Sequence, residues 1–272
     1  MKQTMGIVGF GRFGRFAAFH LRNHFDLSVY DRGNRFVEAQ EIGVRIEPLK
    51  TVAKSSIVLL CVPISQIRSV LMEIVPHLVE NSLVVDTCSV KGYPVSQMET
   101  ILPSHVEVLG THPLFGPDSA AKGLQGKKIV LCPIRIRNLS TIQSFLNRLG
   151  LNVLISSPEK HDRFMASTQA IVQFLGRAFL EIGLTRQEMA TPGYETLIKI
   201  LDVVQNDTWE LFRDLQTFNR FAKEMREKLI ESLITVNQRL DQETLKDIVE
   251  KKLMSHIEPH PYEKKKERTN RK

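Results

Sequence analysis

Short apolar runs alternate with amphipathic stretches through the first 156 residues of the chain. Several runs, such as residues 57–62, are continuously apolar, so both faces of the corresponding strands should be buried. This pattern predicts an α/β fold in which a doubly wound, mostly parallel sheet carries helices on both faces. The predicted strands are residues 6–9, 27–30, 57–62, 83–86, 106–109, 129–132 and 153–155.

Helical periodicity replaces the strand pattern after Ser157. Ser157 followed by Pro158 is typical of an N-cap with proline in the first helical turn. The predicted helices are residues 159–183, 194–205 and 208–255, the last of them broken near Asp241. We therefore expect an α/β domain over residues 1–156 and an all-helical domain over residues 157–256.

One predicted helix carries a wide apolar face, which needs a partner surface. The face consists of Phe212, Leu215, Phe218, Phe221 and Met225. Two partners fit the pattern equally well: a second copy of the chain, which would make the helical domain a dimerisation domain, and the other helices of the same chain.

Gly9, Gly11 and Gly14 form a GxGxxG motif between the first predicted strand and a helix that begins near Arg12. Gly9 permits a tight turn, Gly11 lets the backbone approach a pyrophosphate, and Gly14 lets the helix pack closely on the strand. Free N–H groups at the start of the helix attract phosphate. This context predicts a Rossmann-type dinucleotide-binding domain, with Arg12 and Phe13 also in the phosphate-binding turn.

Asp31 ends the second predicted strand, 22 residues after Gly9. A carboxylate at this position can accept both ribose hydroxyls of NAD and repels the 2′-phosphate of NADP, so NAD is the expected cofactor and NADP the less favoured one. Arg32 and Arg35 leave the alternative open, because a guanidinium can hold a 2′-phosphate. Arg32 can also stack on the adenine, or both arginines can be solvated loop charges.

Cys61, Val62 and Pro63 close another predicted strand, at the carboxyl edge where open parallel sheets bind their ligands. Their backbone is expected to line the cofactor, with no chemical role for the Cys61 thiol. The three cysteines, which include Cys88 and Cys132, have neither CxxC nor metal-ligand spacing. The sequence therefore predicts buried thiols and neither a disulfide framework nor a metal site.

Polar residues follow two further predicted strands, in the segments DTCSVKG (86–92) and GTHPLFGPDS (110–119). His112 is expected in a turn at a strand end, where a near-neutral pKa suits it to accept a proton from a substrate hydroxyl while hydride leaves the same carbon. Ser89 can hydrogen-bond that hydroxyl or fix the imidazole. Lys91 can attract a substrate carboxylate, or it can be a charged residue in the first turn of the next helix.

These segments, together with GFGRFG (9–14), EKHD (159–162) and GYETL (193–197), closely resemble the prephenate and arogenate dehydrogenases of tyrosine biosynthesis, especially the plant-type arogenate branch. The resemblance extends over about residues 5–240. It implies oxidative decarboxylation of a cyclohexadienyl substrate, prephenate or arogenate, with hydride transfer to a nicotinamide.

The resemblance also implies roles for individual residues. His112 would take the proton of the ring 4-hydroxyl, and Ser89 would support it. Asp118 matches an acidic position near the mouth of the active site. His161 matches a position that can act as a gate, although it can also simply cap its helix.

The chain departs from the family pattern in its helical half. Gln173 stands where family members often have a substrate-binding histidine, and it can donate a hydrogen bond but carries no charge. The arginine that bacterial prephenate enzymes place before residues 206–207 is missing, and Lys199 is the nearest candidate. Asp207 matches an acidic residue of plant-type enzymes that would attract the ammonium of arogenate. Asp207 can equally be a helix N-cap, or serve both roles.

The net charge of +7 is concentrated near the C-terminal end, where residues 263–272 carry six basic and two acidic side chains. Residues 257–272 are predicted to be a basic, disordered tail, and a polyanion-binding arm is the less favoured alternative. No apolar run reaches the roughly 20 residues that a membrane span needs. With no signal-peptide pattern, the expectation is a cytoplasmic protein without nucleic-acid or membrane partners.

Two other functions compete with this interpretation. A dehydrogenase of the 3-hydroxyacid or imine-reductase type shares the two-domain plan, but such enzymes usually place a catalytic lysine in the helical domain and lack the HPxFGP segment around His112. A non-catalytic dinucleotide sensor is the other alternative, and the presence of Ser89 together with His112 argues against it.

Overall fold

The structure is a computed structural model that describes residues 2–242 together with residues 247 and 252. The predicted basic tail, residues 257–272, lies outside the described residues. The chain consists of two compact units, with the division between Met225 and Arg226. All of the residues discussed as candidate site residues belong to the first unit, and the predicted domain boundary at residue 156 remains a prediction.

Eight strands form one sheet in the first unit. They are β1 (Thr4–Val8), β2 (Asp26–Tyr30), β3 (Arg45–Ile46), β4 (Ile57–Leu60), β5 (Leu83–Asp86), β6 (Glu107–Pro113), β7 (Lys128–Arg135) and β8 (Asn152–Ile155). Their order is β3-β2-β1-β4-β5-β6-β7-β8, and every neighbouring pair is parallel except β6 and β7. The predicted Rossmann-type, mostly parallel sheet is confirmed. Strand β3 was not predicted, because two residues carry no readable periodicity.

Both faces of this sheet are buried, as the continuous apolar runs predict. Val58 and Leu60 of β4 pack in one core, and Leu59 packs in the other. The helices of this region are α1 (Arg12–Leu21), α2 (Phe36–Ile42), α3 (Leu49–Val52), α4 (Ile67–Ile74), α5 (Gly92–Ile101) and α6 (Leu139–Arg148). Side chains of α4 and α5 complete the first core, and Ala17 and Ala18 of α1 contribute to the second. Helices therefore cover both faces of the sheet.

Strand β6 is longer than predicted, and this changes the setting of His112. The expected turn at residues 110–113 is wrong, because β6 continues to Pro113. The parallel partner β5 ends opposite Gly110, but the antiparallel partner β7 continues the ladder and places His112 opposite Val130. His112 therefore lies within a hydrogen-bonded strand and not in a turn.

The helical region contains α7 (Pro158–Met165), a π-helical turn (Ala166–Ala170), α8 (Ile171–Glu181), α9 (Pro192–Gln205), α10 (Trp209–Phe218) and α11 (Ala222–Gln242). The predicted N-cap is confirmed, since the Ser157 hydroxyl accepts a hydrogen bond from the Lys160 N–H at 3.2 Å. The π-helical turn divides the predicted helix 159–183. Such turns are frequent at functional sites.

The prediction of one helix from residue 208 to a break near Asp241 is wrong. The chain leaves the helix at Asn219, whose backbone is extended and whose side chain accepts a hydrogen bond from the Phe221 N–H at 3.0 Å. The Asn219 Nδ2 also donates to the Asp162 carbonyl at 2.8 Å. These bonds compete with helical hydrogen bonding at a buried position, so they end α10 early.

The chain itself covers much of the predicted apolar face. Leu215 is buried, and the Phe218 ring lies 4.5 Å from the Tyr93 ring of α5. Phe221 and Met225 lie beyond the break at Asn219. Packing within the chain therefore accounts for part of this face, while dimerisation remains a prediction. Within the described part of the chain, no helix is both long and apolar enough to cross a membrane.

Candidate active site

The glycine-rich turn between β1 and α1 forms a close-packed cradle. Gly9 has a φ of +96°, and a Cβ there would lie 2.4 Å from the Cys61 carbonyl oxygen. A Cβ on Gly14 would lie 2.0 Å from the Gly9 carbonyl oxygen. Gly11 precedes α1, and a Cβ on it would meet no atom of the described residues within 4 Å. Gly9 and Gly14 are therefore required for packing, whereas Gly11 faces open space at the start of a helix.

Asp31 ties this cradle to the end of β2. Its Oδ2 accepts a hydrogen bond from the Phe10 N–H at 2.7 Å, and its Oδ1 accepts one from the Gly33 N–H at 2.8 Å. A cleft of about 210 Å³ lies beside it. The residues that line this cleft include Gly9, Gly11, Asp31, Arg32, Cys61, Val62 and Pro63. Residues predicted to bind the cofactor thus surround one cleft.

Three neighbours of the cradle have other contacts. Arg32 extends to Glu73, with its Nη2 2.6 Å from the glutamate Oε1. The Phe13 ring packs against the core, and its backbone N–H lies in the first turn of α1. Desolvation raises the pKa of the Cys61 thiol to about 12, which keeps it protonated and agrees with the absence of a chemical role.

His112 is linked through a second histidine to a carboxylate. The His112 Nδ1 lies 2.8 Å from the His161 Nε2, and the His161 Nδ1 lies 2.7 Å from the Asp162 Oδ1. Only 2–3% of each of these residues is exposed. We call His112, His161 and Asp162 the relay. His161 lies within α7 and does not cap it, so that alternative is wrong.

Burial sets the protonation state of His112. Desolvation by burial, and after it electrostatic interactions with His161 and Lys91, lower the pKa of His112 well below 6.5. The imidazole is therefore neutral at pH 7 and able to accept a proton. Among the described residues, nothing forms a hydrogen bond with its Nε2.

Lys91 is not available to a substrate carboxylate. The residue is completely buried, and its ammonium pairs with Asp86 and donates to the Thr111 carbonyl at 2.5 Å. Its backbone N–H donates to the Asp162 Oδ1 at 2.7 Å. Lys91 is the N-cap residue of α5, and the structure gives it a role in holding the sheet edge together. Ser89 is half-buried in the same loop and makes no hydrogen bond with the described residues.

A second polar group forms where α8, α9 and α10 approach the cradle. The Gln173 Nε2 donates to the Asp207 Oδ2 at 2.6 Å, and Arg177 donates to the Asp207 carbonyl at 2.6 Å. Arg12 donates to both Asp118 oxygens at 2.8 Å and to the carbonyl of Asn206 at 2.9 Å. We call these residues the arginine cluster: Arg12, Asp118, Gln173, Arg177, Asn206 and Asp207.

The structure rules out one of the two interpretations of Asp207. The N-cap of α10 is Thr208, whose hydroxyl accepts from the Leu211 N–H at 3.1 Å, so the expectation that Asp207 caps this helix is wrong. Desolvation raises the pKa of the Asp207 carboxyl, although the hydrogen bond from Gln173 opposes this. Lys199 is exposed on α9 and makes no ion pair with the described residues. Arg12 and Arg177 are the cations near Asp207, and Arg177 donates to its backbone carbonyl.

Three residues of these groups were not predicted as site residues: Asp162, Arg177 and Asn206, the last of which takes part through its backbone carbonyl. Arg177 stands four residues after Gln173, which places both on one face of α8, and this spacing was the available signal. The guanidinium of Arg177 lies 5.8 Å from the Trp209 ring centroid and 5.6 Å from that of Phe212. Asp162 directly follows His161 in EKHD, but the sequence does not show which groups its carboxylate contacts.

Comparison with known proteins identifies the family. The family model described as the prephenate dehydrogenase nucleotide-binding domain matches residues 17–155, and one described as the TYRAAT1-like C-terminal domain matches residues 179–253. Arogenate dehydrogenase 2, chloroplastic, from Arabidopsis thaliana is 31% identical over 87% of this chain and 69% of its own length. A probable arogenate/prephenate dehydrogenase from Methanocaldococcus jannaschii is 31% identical over 84% of this chain, which spans about half (54%) of that relative.

Solved structures share the fold. Prephenate dehydrogenase from Aquifex aeolicus, in complex with hydroxyphenyl propionate and NAD+, has a TM-score of 0.70 at 22% identity and covers 95% of this chain and 98% of its own. Synechocystis arogenate dehydrogenase has a TM-score of 0.64 at 23% identity, covering 88% and 90%. With the sheet, the cradle and these matches, the chain belongs to the prephenate/arogenate dehydrogenase family of oxidoreductases.

Proposed function

We propose that the chain catalyses the NAD-dependent oxidative decarboxylation of a cyclohexadienyl substrate, arogenate in preference to prephenate, in tyrosine biosynthesis. The observation that carries this proposal is the buried, neutral His112, which lies at the same carboxyl edge of the sheet as the dinucleotide cradle. A proton acceptor beside a hydride acceptor is what oxidation of an alcohol carbon requires.

The cradle fits a dinucleotide. Gly11, the N-cap residue of α1, leaves open space beside the backbone, and the free N–H groups of a helix N-terminus attract a pyrophosphate. The adjoining cleft is bounded by Asp31, which suits the ribose of an adenosine. When bound, the nicotinamide supplies the hydride acceptor. NAD is favoured over NADP because Asp31 would repel a 2′-phosphate, and Arg32 is already paired with Glu73.

His112 has the proton-transfer role in the proposed reaction. Its Nε2 accepts the proton of the ring 4-hydroxyl as hydride leaves the carbon that bears this hydroxyl. The bond to the ring carboxylate then breaks, CO2 departs, and the bonding electrons complete the aromatic ring. The oxygen recovers a proton from His112, so the product is a phenol and His112 is neutral again. Ser89, in the loop after β5, is the proposed hydrogen-bonding partner of the hydroxyl.

The arginine cluster supports arogenate as the substrate. The Gln173 Oε1 and the Arg177 Nε are buried and have no hydrogen-bond partner among the described residues. Buried polar groups are normally paired, so these two atoms suit a ligand that brings a donor and an acceptor. The amino-acid side chain of arogenate carries both, an ammonium for Gln173 and Asp207 and a carboxylate for Arg177. The keto group of prephenate offers no cation to Asp207.

The test is turnover by the purified chain with each substrate and each cofactor. Arogenate with NAD should give reduced nicotinamide and an aromatic product, with a higher kcat/KM than prephenate or NADP gives. His112→Asn provides the control for contaminating activity. If neither substrate gives reduced nicotinamide with either cofactor, the proposed function is wrong.

We further propose a homodimer formed through the helical region. Exposed apolar side chains on and beside α8 and α9 support this, since such residues usually seek a partner. They include Val172, Ile182 and Val203. Sedimentation equilibrium measures the assembly state, and a monomer at micromolar concentration would contradict the proposal. Cytoplasmic localisation also remains a prediction, which cell fractionation tests.

A further inference from the structure

Asp162, the last residue of the relay, determines which atoms donate and which accept in its hydrogen bonds. Backbone N–H groups can only donate, and they approach both oxygens of Asp162: Lys91 N–H reaches Oδ1 at 2.7 Å and Gly92 N–H reaches Oδ2 at 2.8 Å. Both oxygens therefore act as acceptors, as those of a carboxylate do. The third short contact, from the His161 Nδ1, must then be a donation to Asp162.

The direction propagates along the two imidazoles. A neutral histidine carries one N–H, so a His161 that donates from Nδ1 accepts at Nε2. The His112 Nδ1, 2.8 Å away, is then the donor of the next bond. This leaves the lone pair of His112 on Nε2, the nitrogen that forms no hydrogen bond with the described residues.

We infer that Asp162 and His161 are positioning residues for the proposed reaction: they hold His112 in the tautomer whose Nε2 accepts the substrate proton, and they stabilise the imidazolium that results. This inference rests on the proposed function. In this inference His161 contacts the Nδ1 of the base His112 and does not act as a gate at the mouth of the site.

The relay also supplies the charge that a buried imidazolium needs. Once Nε2 takes the proton, His112 carries a positive charge at a site that is 3% exposed. Its Nδ1–H remains bonded to His161, whose other nitrogen faces the Asp162 carboxylate. The other charged groups nearby are Lys91 and Asp86, which pair with each other. Asp162 is thus the carboxylate that the hydrogen bonds through His161 link to the new cation.

Asp162 further connects the relay to the loop that carries Ser89. The two N–H groups it accepts belong to Lys91 and Gly92, and a Cβ on Gly92 would lie 2.9 Å from the Asp162 Oδ2. Asn219 donates to the Asp162 carbonyl at 2.8 Å and so anchors the residue from α10. One carboxylate therefore sets the position of the Ser89 loop and the tautomer of His112.

The experiment compares three variants in the full chain. Asp162→Asn removes the charge of the relay, and His161→Gln interrupts the relay while leaving the Asp162 contacts to Lys91 and Gly92. Glu159→Gln is the matched control, because it makes the same carboxylate-to-amide change on an exposed position of α7. Each protein is assayed for kcat, for KM and for kcat/KM against pH. Thermal unfolding and NADH binding check that it folds.

The expected result is a fall in kcat of about 100-fold or more for Asp162→Asn and for His161→Gln, at nearly unchanged KM for NAD. Because His112 acts as a base, activity is lost as the pH falls through its pKa. Loss of the Asp162 charge destabilises the imidazolium, so for Asp162→Asn the acidic limb of kcat/KM should move to lower pH. Glu159→Gln should match the wild type.

Two outcomes would overturn the inference. In the first, folded Asp162→Asn and His161→Gln variants keep the wild-type kcat and the wild-type acidic limb of kcat/KM against pH. In the second, these variants differ from the wild type only in KM. If Asp162→Asn does not fold, the kinetics of His161→Gln alone test the inference, because this variant leaves the contacts of Asp162 with Lys91 and Gly92 in place. A wild-type chain that is inactive on both substrates contradicts the proposed function instead. An active wild type with unaffected variants contradicts only the relay.

Discussion

The two halves of the site are built in different ways. The cradle is made of backbone and glycines that are near one another in sequence, Gly9 to Gly14, and its defining contacts are main-chain atoms. The relay and the arginine cluster are made of side chains from distant segments. His112 and His161 are 49 residues apart, and Arg12 is 194 residues from Asn206.

This difference separates general binding from specific chemistry. A backbone cradle recognises a pyrophosphate, which any dinucleotide contains. In the proposed reaction, side chains on separate strands, helices and loops supply charge and proton transfer, and they can change one at a time while the sheet is kept. Substitutions in the cradle should therefore affect NAD binding, and substitutions in the relay and cluster should affect turnover and substrate choice.

The largest expected effect is at His112. His112→Asn removes the proton acceptor and should lower kcat by roughly 1,000-fold, because a positioned general base contributes on the order of 10²–10⁴. The affinity for NADH should stay the same, since no cradle contact involves His112. Steady-state kinetics and a fluorescence titration measure the two quantities. A parallel loss of NADH binding would show that the two halves are not separable.

The cradle glycines should give the next largest effect. Gly14→Ala places a Cβ 2.0 Å from the Gly9 carbonyl and should cost about 1–3 kcal/mol of unfolding free energy, through overpacking. Gly11→Ala has space for its Cβ, so it should keep the wild-type Tm while weakening NADH binding. Thermal unfolding with a binding titration separates the two. Equal Tm losses in both variants would contradict the open space before Gly11.

A smaller change is expected at Asp207. Asp207→Asn removes the carboxylate proposed to bind the ammonium of arogenate, and it should lower kcat/KM for arogenate relative to prephenate by about tenfold, which is about 1.4 kcal/mol. Asp202→Asn, an exposed carboxylate on α9, is the control. Competition assays with both substrates give the ratio directly. An unchanged ratio would remove Asp207 from substrate selection.

The smallest effect is expected at the ion pair between Arg12 and Asp118. Both side chains are about half exposed, and exposed pairs contribute on the order of 0–1 kcal/mol. Asp118→Asn should therefore leave Tm within about 2 °C of the wild type. Urea unfolding provides the free energy. A loss above about 2 kcal/mol would mean that this contact, which joins the cradle to the arginine cluster, has a larger structural role than its exposure indicates.

The amino-acid sequence by itself determined the sheet, the cradle and the candidate base. Continuous apolar runs predicted buried parallel strands, and GxGxxG between a strand and a helix predicted the nucleotide turn, because periodicity and turn chemistry are local properties of a chain. Only the tertiary structure decided the partners of side chains. It buried Lys91 against Asp86, brought Arg177 instead of Lys199 to Asp207, extended β6 through His112, and ended α10 at Asn219. Arg177 is 30 residues from Asp207, and Asn219 is 57 residues from the Asp162 carbonyl that it contacts, so packing sets these distances and no local pattern records them. Lys91 and Asp86 are only five residues apart, but their complete burial also depends on packing.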